Sequence, residues 1–283
     1  MLDSVMSGAA QVTDVGKVYA RNDEPDIVLR QCSFGIEPGK LTVLLGPSGS
    51  GKSTLVKLIA GYEHPSVGEI TVDGKKVTGP GADRIVVFQE TALFPWMTLL
   101  ENVAFGPIER GQDAVEARAE ATALLAKVGL RAFANRYPDQ ISGGMQRRAE
   151  VARALINKPR LLLLDEPFRG LDHMSRGLMQ EYFLALFEET RTTTLFVTSE
   201  VDEAIFLADR LIILSYKPTY VKAILDVELP RPREFHMQTS ALYVQLKNEA
   251  LDLLYEEALK GFVAGTPAAE DMQRMIVEAK SNR

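Results

Sequence analysis

The amino-acid sequence predicts an α/β fold with a mostly parallel β-sheet that helices cover on both faces. Short apolar, β-favouring runs alternate with segments whose apolar residues recur at helical spacing, as in proteins that bury parallel strands. A glycine-rich turn at residues 46–51 lies between one such strand and one such helix. Together these observations indicate an open sheet with a ligand site at its strand ends.

The first ninety residues contain β-favouring runs with one helix between them. A charged, proline-containing loop separates the first two strands, and Gly46 ends a fully apolar run, as expected after a buried strand. Gly61 is a suitable C-cap, and the pair Asp73-Gly74 predicts a hairpin turn. The predicted elements are strands at residues 11–19, 27–39, 41–45 and 85–88, a helix at 54–60 and a hairpin over 68–77.

The middle of the chain is predicted to be helical. Apolar positions fall at helical spacing over residues 115–128, where Gly129 ends the pattern, and residues 145–157 form a second predicted helix. Strands and helices then alternate again, with strands at residues 161–164, 194–198 and 210–214 and a helix at 176–189.

The sequence changes character after Ser215, and we interpret residues 216–283 as an appended tail. Its residues 229–233, Leu-Pro-Arg-Pro-Arg, are typical of an extended linker. The linker leads to a predicted helix whose amphipathic spacing favours packing against the rest of the chain. The apolar residues of that helix repeat every four positions and are Leu242, Leu246, Ala250, Leu254 and Ala258.

Size and composition exclude several classes of protein. With 283 residues, of which 46% are hydrophobic and 25% charged, the chain is expected to form a packed core. A net charge of -6 without a Lys/Arg-rich run disfavours binding to nucleic acid. The single cysteine, Cys32, fits a reducing compartment. Residues 1–10 do not resemble a signal peptide and no apolar run reaches ~18 residues, so a membrane role is expected to need a membrane-embedded partner.

Residues 46–53, Gly-Pro-Ser-Gly-Ser-Gly-Lys-Ser, match the phosphate-loop pattern of a glycine, four residues and Gly-Lys-Ser. Glycines let the backbone wrap around a polyphosphate, so that N–H groups and the following helix N-terminus point at the anion. We expect Lys52 to contact the β- and γ-phosphates and Ser53 to ligate Mg²⁺. A Gly/Ser-rich turn without a ligand is the disfavoured alternative. The predicted nucleotide-binding residues here are Gly46, Pro47, Ser48, Gly49, Ser50, Gly51, Lys52, Ser53 and Thr54.

Two adjacent carboxylates follow the apolar strand at residues 161–164. One acid can hold Mg²⁺ through water while its neighbour polarises the attacking water, because both tasks require an anion beside a polyphosphate. We assign Asp165 to the metal and Glu166 to the general base, and Lys52 completes this catalytic set. Such a pair alone is more often the start of a solvated loop, but the phosphate loop favours the catalytic interpretation.

Residues 137–148, Tyr-Pro-Asp-Gln-Ile-Ser-Gly-Gly-Met-Gln-Arg-Arg, resemble the signature segment of ABC-transporter nucleotide-binding domains. Ser142, Gly143 and Gly144 lie at a helix start, where a hydroxyl and backbone N–H groups form an anion cradle. In that family the segment closes on the ATP held by the opposing subunit. The resemblance covers residues 11–230 and implies a second ATP-binding subunit.

The resemblance implies roles for further residues. Tyr19 matches the family's aromatic residue that stacks on adenine, and Gln89 matches the glutamine that senses Mg²⁺ and the attacking water. Residues 170–172, Gly-Leu-Asp, match the loop that crosses to the other subunit. Taken alone, a tyrosine or glutamine at these positions would more often serve packing or lie on the surface.

Residues 93–103, Leu-Phe-Pro-Trp-Met-Thr-Leu-Leu-Glu-Asn-Val, are similar to subunits of importers for nitrate, sulfonates and taurine, as is the tail that begins at Leu229. In that family the region after the glutamine contacts the membrane subunit. We therefore expect residues 94–101 to form a transducing surface with Phe94 and Trp96 exposed, and burial of both in the core is the alternative.

Two positions depart from the family pattern. Ser199 stands where members usually carry a histidine that contacts the γ-phosphate, and a serine is too short to make the same contact directly. Arg169 and Gly170 stand where smaller or more neutral residues are commoner. Ser199 remains a catalytic candidate, and we hypothesise that this site hydrolyses slowly or that a paralogue completes a better site.

The fold implied by the resemblance is a phosphate-loop (RecA-like) ATPase core with a mostly parallel sheet, an antiparallel β subdomain and a helical subdomain inserted at about residues 90–158. The ATPase domain would span residues 11–230, and a C-terminal helical extension residues 231–283. The implied ligands are ATP and Mg²⁺. The implied partners are integral-membrane permease subunits, a second ATP-binding subunit and, indirectly, an extracytoplasmic solute-binding protein.

The implied location is cytoplasmic, on the inner face of the cell membrane. Two alternatives stay open. One is a non-transport ABC ATPase acting on DNA or ribosomes, which is disfavoured because the sequence has no second cassette, long coiled coil or basic arm. The other is a regulatory subunit that binds ATP without useful hydrolysis, which the serine at position 199 suggests.

Overall fold

The computed structural model describes residues 7–21 and 24–263. The strands are β1 (Ala10–Arg21), β2 (Glu24–Ile36), β3 (Leu41–Leu45), β4 (Val67–Val72), β5 (Lys75–Lys76), β6 (Arg84–Val87), β7 (Leu161–Asp165), β8 (Thr193–Thr198), β9 (Arg210–Leu214) and β10 (Val221–Asp226). The helices are α1 (Lys52–Ala60), α2 (Leu99–Glu109), α3 (Ala114–Lys127), α4 (Gly143–Leu155), α5 (His173–Thr190), α6 (Val201–Leu207) and α7 (Ala241–Val263). Across these described residues, each helix is too short or too polar to cross a bilayer.

The main sheet has six strands in the order β10-β9-β3-β8-β7-β6, and β9 through β6 are mutually parallel. A second, antiparallel sheet has the order β2-β1-β4-β5. Every residue of β3, β7 and β8 is buried, which explains their continuous apolar sequences. The predicted α/β fold with a mostly parallel sheet and an antiparallel β unit is therefore confirmed.

The main sheet separates two hydrophobic cores. Alternate residues of one strand enter different cores, since Val43 and Leu45 pack with α2 to α7 while Leu44 packs with α1 and the antiparallel sheet. The same alternation occurs in β7 and β8. Burial on both faces fixes the register of these strands, because a one-residue slip would exchange the two faces.

The strand order places three loops at one edge of the sheet. Since β3, β8 and β7 are adjacent and parallel, their carboxyl ends meet there. The loops are the glycine-rich turn after β3, the segment that begins at Ser199 after β8, and the acidic pair that closes β7. Residues far apart in sequence are thus brought to one site.

Two helices were not predicted. The first, α2, begins with a capping box, in which Glu101 N–H donates to the Thr98 hydroxyl at 3.3 Å and Thr98 N–H donates to the Glu101 carboxylate at 2.8 Å. This Thr-x-x-Glu signal was available in the sequence. The second, α6, has only seven residues, and its four consecutive residues 204–207 are completely buried, so it shows no amphipathic period.

The interpretation of residues 216–283 as a tail is wrong at its beginning. Strand β10 pairs antiparallel with β9 and forms the edge of the main sheet. The segment at residues 229–233, predicted to be an extended linker, forms no helix or strand and is held in place, because Arg231 donates to Asp209 at 2.7 Å and to Glu188 at 2.9 Å. The Arg233 side chain is fully buried and donates to the last backbone carbonyls of α6. Arg231 and Arg233, which the sequence alone suggests are solvated, therefore pair with acidic side chains and with carbonyls at the end of a helix.

Helix α7 packs on α6 and confirms the predicted C-terminal helix as far as residue 263. Its buried apolar residues are Tyr243, Leu246, Ala250 and Leu254. The predicted residues Leu242 and Ala258 are exposed, because a repeat of four drifts around a helix of 3.6 residues per turn. Residues 264–283 of the predicted extension lie outside the described residues.

Candidate functional site

The glycine-rich turn after β3 has the backbone that an anion site requires. Gly49 and Gly51 have φ of 80° and 75°, in the left-handed region that glycine enters without steric cost. Gly51 is the N-cap of α1 and makes no side-chain hydrogen bond. The N–H groups of the first helical turn are therefore available to an anion bound in the glycine-rich turn. A Cβ at Gly46 would lie 2.8 Å from the Ser50 hydroxyl, so this approach also requires glycine. The turn can therefore surround a phosphate.

Thr219 stabilises the glycine-rich turn through a hydrogen bond to its backbone. Its hydroxyl is buried and donates to the backbone carbonyl of Ser50 at 2.7 Å. Its own N–H donates to the carbonyl of Val28 at 2.9 Å, and its carbonyl accepts from the N–H of Arg30 at 2.7 Å. The β9–β10 turn thus ties the glycine-rich turn to β2. Sequence reasoning missed Thr219, which carries no motif.

Lys52 lies at the centre of the site and is buried. Its Nζ donates to the backbone carbonyls of Gly46 at 2.9 Å and Pro47 at 3.0 Å, and lies 3.3 Å from a carboxylate oxygen of Glu166. Burial lowers the pKa of Lys52, while the nearby Glu166 carboxylate opposes that shift. The two carbonyls and this carboxylate are thus the partners of the buried Lys52 ammonium, and a bound phosphate could replace the carboxylate as its partner.

The acidic pair at the end of β7 is brought next to Lys52. Asp165 is buried, and its Oδ1 has no hydrogen-bond partner. Burial raises the pKa of Asp165, and the side chain of Ser53 opposes the shift. An unpaired carboxylate oxygen beside a serine hydroxyl fits the oxygen ligands that Mg²⁺ prefers. Asp165 and Ser53 therefore have the chemistry to hold that ion.

The carboxylate of Glu166 lies between two cations. One oxygen faces Lys52, and the other accepts from Arg169 at 3.1 Å. Its backbone takes φ of 44° and its N–H donates to the carbonyl of Val197 at 2.9 Å, which fixes the residue at the sheet edge. The arrangement holds the Glu166 carboxyl group where a base for water activation would be needed.

A cavity beyond Glu166 contains Ser199. It is lined also by Ser48, Arg169 and Arg176, and Ser199 itself is exposed. Glu203 lies in the same cavity and is buried, which raises the pKa of its carboxyl. The cavity thus adjoins the phosphate-loop serine on one side and the base candidate on the other.

Tyr19 lies beside α1, on the side of the antiparallel sheet. Its ring is half-buried, and its hydroxyl donates to Glu63 at 2.5 Å. Burial raises the pKa of Tyr19, and the ammonium of Lys17 lies 4.8 Å from the ring centroid. An aromatic ring whose face attracts a cation can also stack on a nucleotide base such as adenine.

The structure does not bring every candidate to this cluster. Ser142 caps α4, accepting from Met145 N–H at 3.4 Å, while a Cβ at Gly143 or Gly144 would meet nothing within 4 Å. In the described part of the chain, no hydrogen bond joins these three residues to the phosphate loop. They present an open helix start to solvent.

Gln89 is exposed, and its backbone is held from α4. Arg147 donates to the carbonyls of Phe88 and Gln89, and pairs with Glu150 at 2.6 Å. Glu150 in turn accepts from the N–H of Ala92. Burial lowers the pKa of Arg147 and raises that of Glu150. Sequence reasoning missed this pair, whose only signal is opposite charge three residues apart on a helix.

The segment after Gln89 carries an exposed aromatic residue. Trp96 is 70% exposed and stacks on Phe94, with ring centroids 5.5 Å apart. Phe94 is half-buried and packs edge-on against Phe105 at 5.0 Å. The expectation of exposure thus holds for Trp96 and only in part for Phe94. An exposed tryptophan is typical of a protein contact.

Comparisons with known proteins agree with this geometry. The sequence model described as ABC transporter matches residues 29–169. An uncharacterized ABC transporter ATP-binding protein of Methanocaldococcus jannaschii is 39% identical over 250 residues, which cover 88% of this chain and 92% of that protein. The nitrate import ATP-binding protein NrtD of Synechocystis is 38% identical, covering 92% of this chain and 97% of its own. The bicarbonate transport ATP-binding protein CmpD of Synechocystis is 41% identical, with coverages of 86% and 88%.

Solved structures of ABC transporter cassettes are also similar to this chain. The dimeric structure of a bacterial ABC transporter cassette superposes with a TM-score of 0.70 at 31% identity, covering 78% of this chain and 100% of that one. A dimeric cassette in a post-hydrolysis state bound to ADP and Pi gives a TM-score of 0.68 at 29% identity, with the same coverages. The sequence matches and the structure matches are therefore all ATP-binding proteins or cassettes of ABC transporters.

Proposed function

Because the chain belongs to the ABC transporter family and is an ATPase of that type, we propose that it powers the import of a small solute. One observation supports the proposal most: the phosphate loop, Lys52, Asp165 and Glu166 meet at one sheet edge. The relatives named for nitrate and bicarbonate transport favour a small anion. Nitrate and sulfonates fit both this and the sequence of residues 93–103, and a taurine-like solute, which is zwitterionic at neutral pH, fits through its sulfonate group.

The residues of this edge would divide the reaction between them. We propose that Lys52 leaves Glu166 and binds the β- and γ-phosphates when ATP enters the phosphate loop. Glu166 then accepts a proton from the water that attacks the γ-phosphorus, as the bond from that phosphorus to the β-bridging oxygen breaks and ADP leaves. We propose that Ser53, Asp165 and Gln89 would hold Mg²⁺, which would neutralise phosphate charge. Tyr19 would stack on adenine.

A second subunit would complete each site. Ser142 and Gly143 are exposed and Gly144 is partly exposed at the start of α4, so their N–H groups could face an anion from another chain. Both similar solved structures are dimers. We therefore propose a dimer, of identical or paralogous subunits, with ATP between the phosphate loop of one and the signature segment of the other.

The membrane partner would dock at residues 94–101. Trp96 supplies an exposed anchor there, and the contacts of Arg147 with Phe88 and Gln89 connect the residues just before this segment to the signature helix. ATP binding could thus move the surface that touches integral-membrane permease subunits. The chain would then lie in the cytoplasm on the inner face of the membrane, and a solute-binding protein would deliver the solute from outside.

Replacing Trp96 with alanine is expected to lower ATP-dependent uptake strongly and to spare the ATP site. Interface tryptophans often contribute at least about 2 kcal/mol to binding, so association with the permease should weaken by roughly thirtyfold or more. The measurement is ATP-dependent uptake of labelled nitrate or taurine by cells that carry only the variant. Purified Trp96→Ala should retain the ATP affinity of the unaltered chain.

Phe235→Ala is the matched control, because Phe235 is an exposed aromatic residue elsewhere on the chain, at 45%. It should leave uptake unchanged. Uptake that survives Trp96→Ala would exclude this docking surface. Cells that lack the chain and still import every candidate solute at the normal rate would exclude the proposed solutes.

The exposed Ser199 supports a second candidate function. A hydroxyl there cannot reach as far as an imidazole, so the site could bind ATP and hydrolyse it slowly beside a more active paralogue. This is the regulatory-subunit alternative. The two candidates differ in the expected effect of replacing Glu166. The first predicts slower phosphate release, and the second predicts no change.

A further inference from the structure

Arg169 is the second cation of the catalytic cluster. Glu166 is paired on one oxygen with the buried Lys52 at 3.3 Å and on the other with Arg169 at 3.1 Å. The Arg169 side chain is 56% exposed, whereas that of Lys52 is 5% exposed. The two cations therefore approach the same carboxylate from the interior and from the cavity mouth.

The other arginine of the cavity is already engaged. Arg176 lies 3.4 Å from Glu200, donates to the carbonyl of Leu171 at 3.3 Å and is mostly buried. Among the described contacts, Arg169 has Glu166 as its hydrogen-bond partner and nothing else. Arg169 is consequently the guanidinium that can turn within the cavity when a ligand arrives.

The cavity also shows where such a guanidinium would be needed. Its walls include Ser48 of the phosphate loop and Ser199, both with short hydroxyl side chains. Its remaining charged residues near Glu166 are acids, Glu200 and Glu203. Without Arg169, a polyphosphate that extends from Lys52 into this cavity would meet neutral hydroxyls, carboxylates and Arg176, whose guanidinium is already paired with Glu200.

We propose that Arg169 holds Glu166 in the nucleotide-free chain and contacts a γ-phosphoryl oxygen when ATP is bound. This rests on the proposed ATPase function of the site. A guanidinium is always charged and presents several donors in one plane, so it can exchange a carboxylate for a phosphoryl group without losing a hydrogen bond. Charge that develops on the γ-phosphoryl group during hydrolysis is stabilised by a positioned cation.

The proposal predicts a specific defect in Arg169→Ala. In the purified full-length chain with Mg²⁺, kcat should fall by roughly tenfold or more, because a phosphoryl-directed arginine contributes at least that much. Titration calorimetry should show that affinity for a non-hydrolysable ATP analogue falls about tenfold while affinity for ADP is unchanged, since ADP lacks the γ-phosphoryl group. A purely structural role would lower both affinities together.

Two further variants separate charge from shape. Arg169→Lys should recover part of the ATP-analogue affinity, because it keeps the charge and loses the planar donors. Adding Ser199→His to Arg169→Ala should also recover part of it, because an imidazole can donate into the same cavity. Arg30→Ala, which removes an exposed arginine on β2, is the matched control and should change nothing.

Three results would overturn the proposal. Arg169→Ala could lower ADP and ATP-analogue affinity equally, could leave both unchanged, or could raise kcat. A wild-type chain that binds neither nucleotide would refute the proposed function itself along with this inference. Wild-type binding with an Arg169→Ala chain that is indistinguishable from it would refute this inference alone.

Discussion

Replacing Glu166 with glutamine is expected to lower the rate of ATP hydrolysis by a factor on the order of 10² to 10⁴ while ATP still binds. Glutamine has nearly the same shape but cannot accept the proton of the attacking water. Lys52 keeps its two backbone acceptors, Gly46 and Pro47, so the phosphate loop should retain its form. Phosphate release and ATP affinity are measured on the same purified protein.

Glu200→Gln is the control for this result. Glu200 lines the same cavity and pairs with Arg176, but its side chain is 58% exposed and it does not contact Lys52. Its replacement should change phosphate release less than about threefold, as expected for an exposed ion pair. If Glu166→Gln released phosphate as fast as the unaltered chain, Glu166 would not be the base. That result would favour the regulatory-subunit alternative.

Replacing Arg233 with methionine is expected to lower the free energy of unfolding by about 3 kcal/mol or more. The guanidinium is fully buried and donates to the carbonyls of Ile205 at 3.0 Å, Phe206 at 2.9 Å and Ala208 at 2.7 Å. These carbonyls lie at the C-terminal end of α6, where the helix offers no internal donor. Burial lowers the pKa of Arg233 to about 10, so the group remains charged at neutral pH.

Urea unfolding followed by circular dichroism measures this loss. The control is Arg30→Met, since Arg30 is exposed on β2, and it should change stability by less than about 0.5 kcal/mol. Equal stability of Arg233→Met and the unaltered chain would mean that residues 229–233 do not fasten the C-terminal segment to α6. The interpretation of this segment as a loose linker would then be restored.

The sequence predicts those parts of the structure whose signals are local. The phosphate loop is recognisable because its chemistry needs glycines, a lysine and a serine at fixed spacing. The strand Leu41–Leu45 is recognisable because it is buried on both faces and therefore apolar throughout. The acidic pair gains its meaning from the parallel order of the strands, which the alternation of elements already implies.

The parts that sequence reasoning missed depend on contacts between distant segments. Strand β10 is half-exposed at the sheet edge, so its residues show no strong alternation. Thr219 matters because its hydroxyl meets Ser50, 169 positions away. Arg231 and Arg233 resemble solvated charges until their partners on α5 and α6 are known. The pairing of Arg169 with Glu166 spans only three residues, but it depends on the backbone turn after β7, which the sequence does not define.

Calorimetric titration of the purified chain with ATP and Mg²⁺ tests the central claim most directly. Saturable binding is the expected result, and Lys52→Ala should weaken it by roughly tenfold or more, because a charge-assisted contact with phosphate is lost. The contradictory result is a chain that keeps its circular dichroism spectrum and its cooperative unfolding but releases no heat of binding at any ATP concentration. The turn after β3 would then be a structural loop and not a phosphate site.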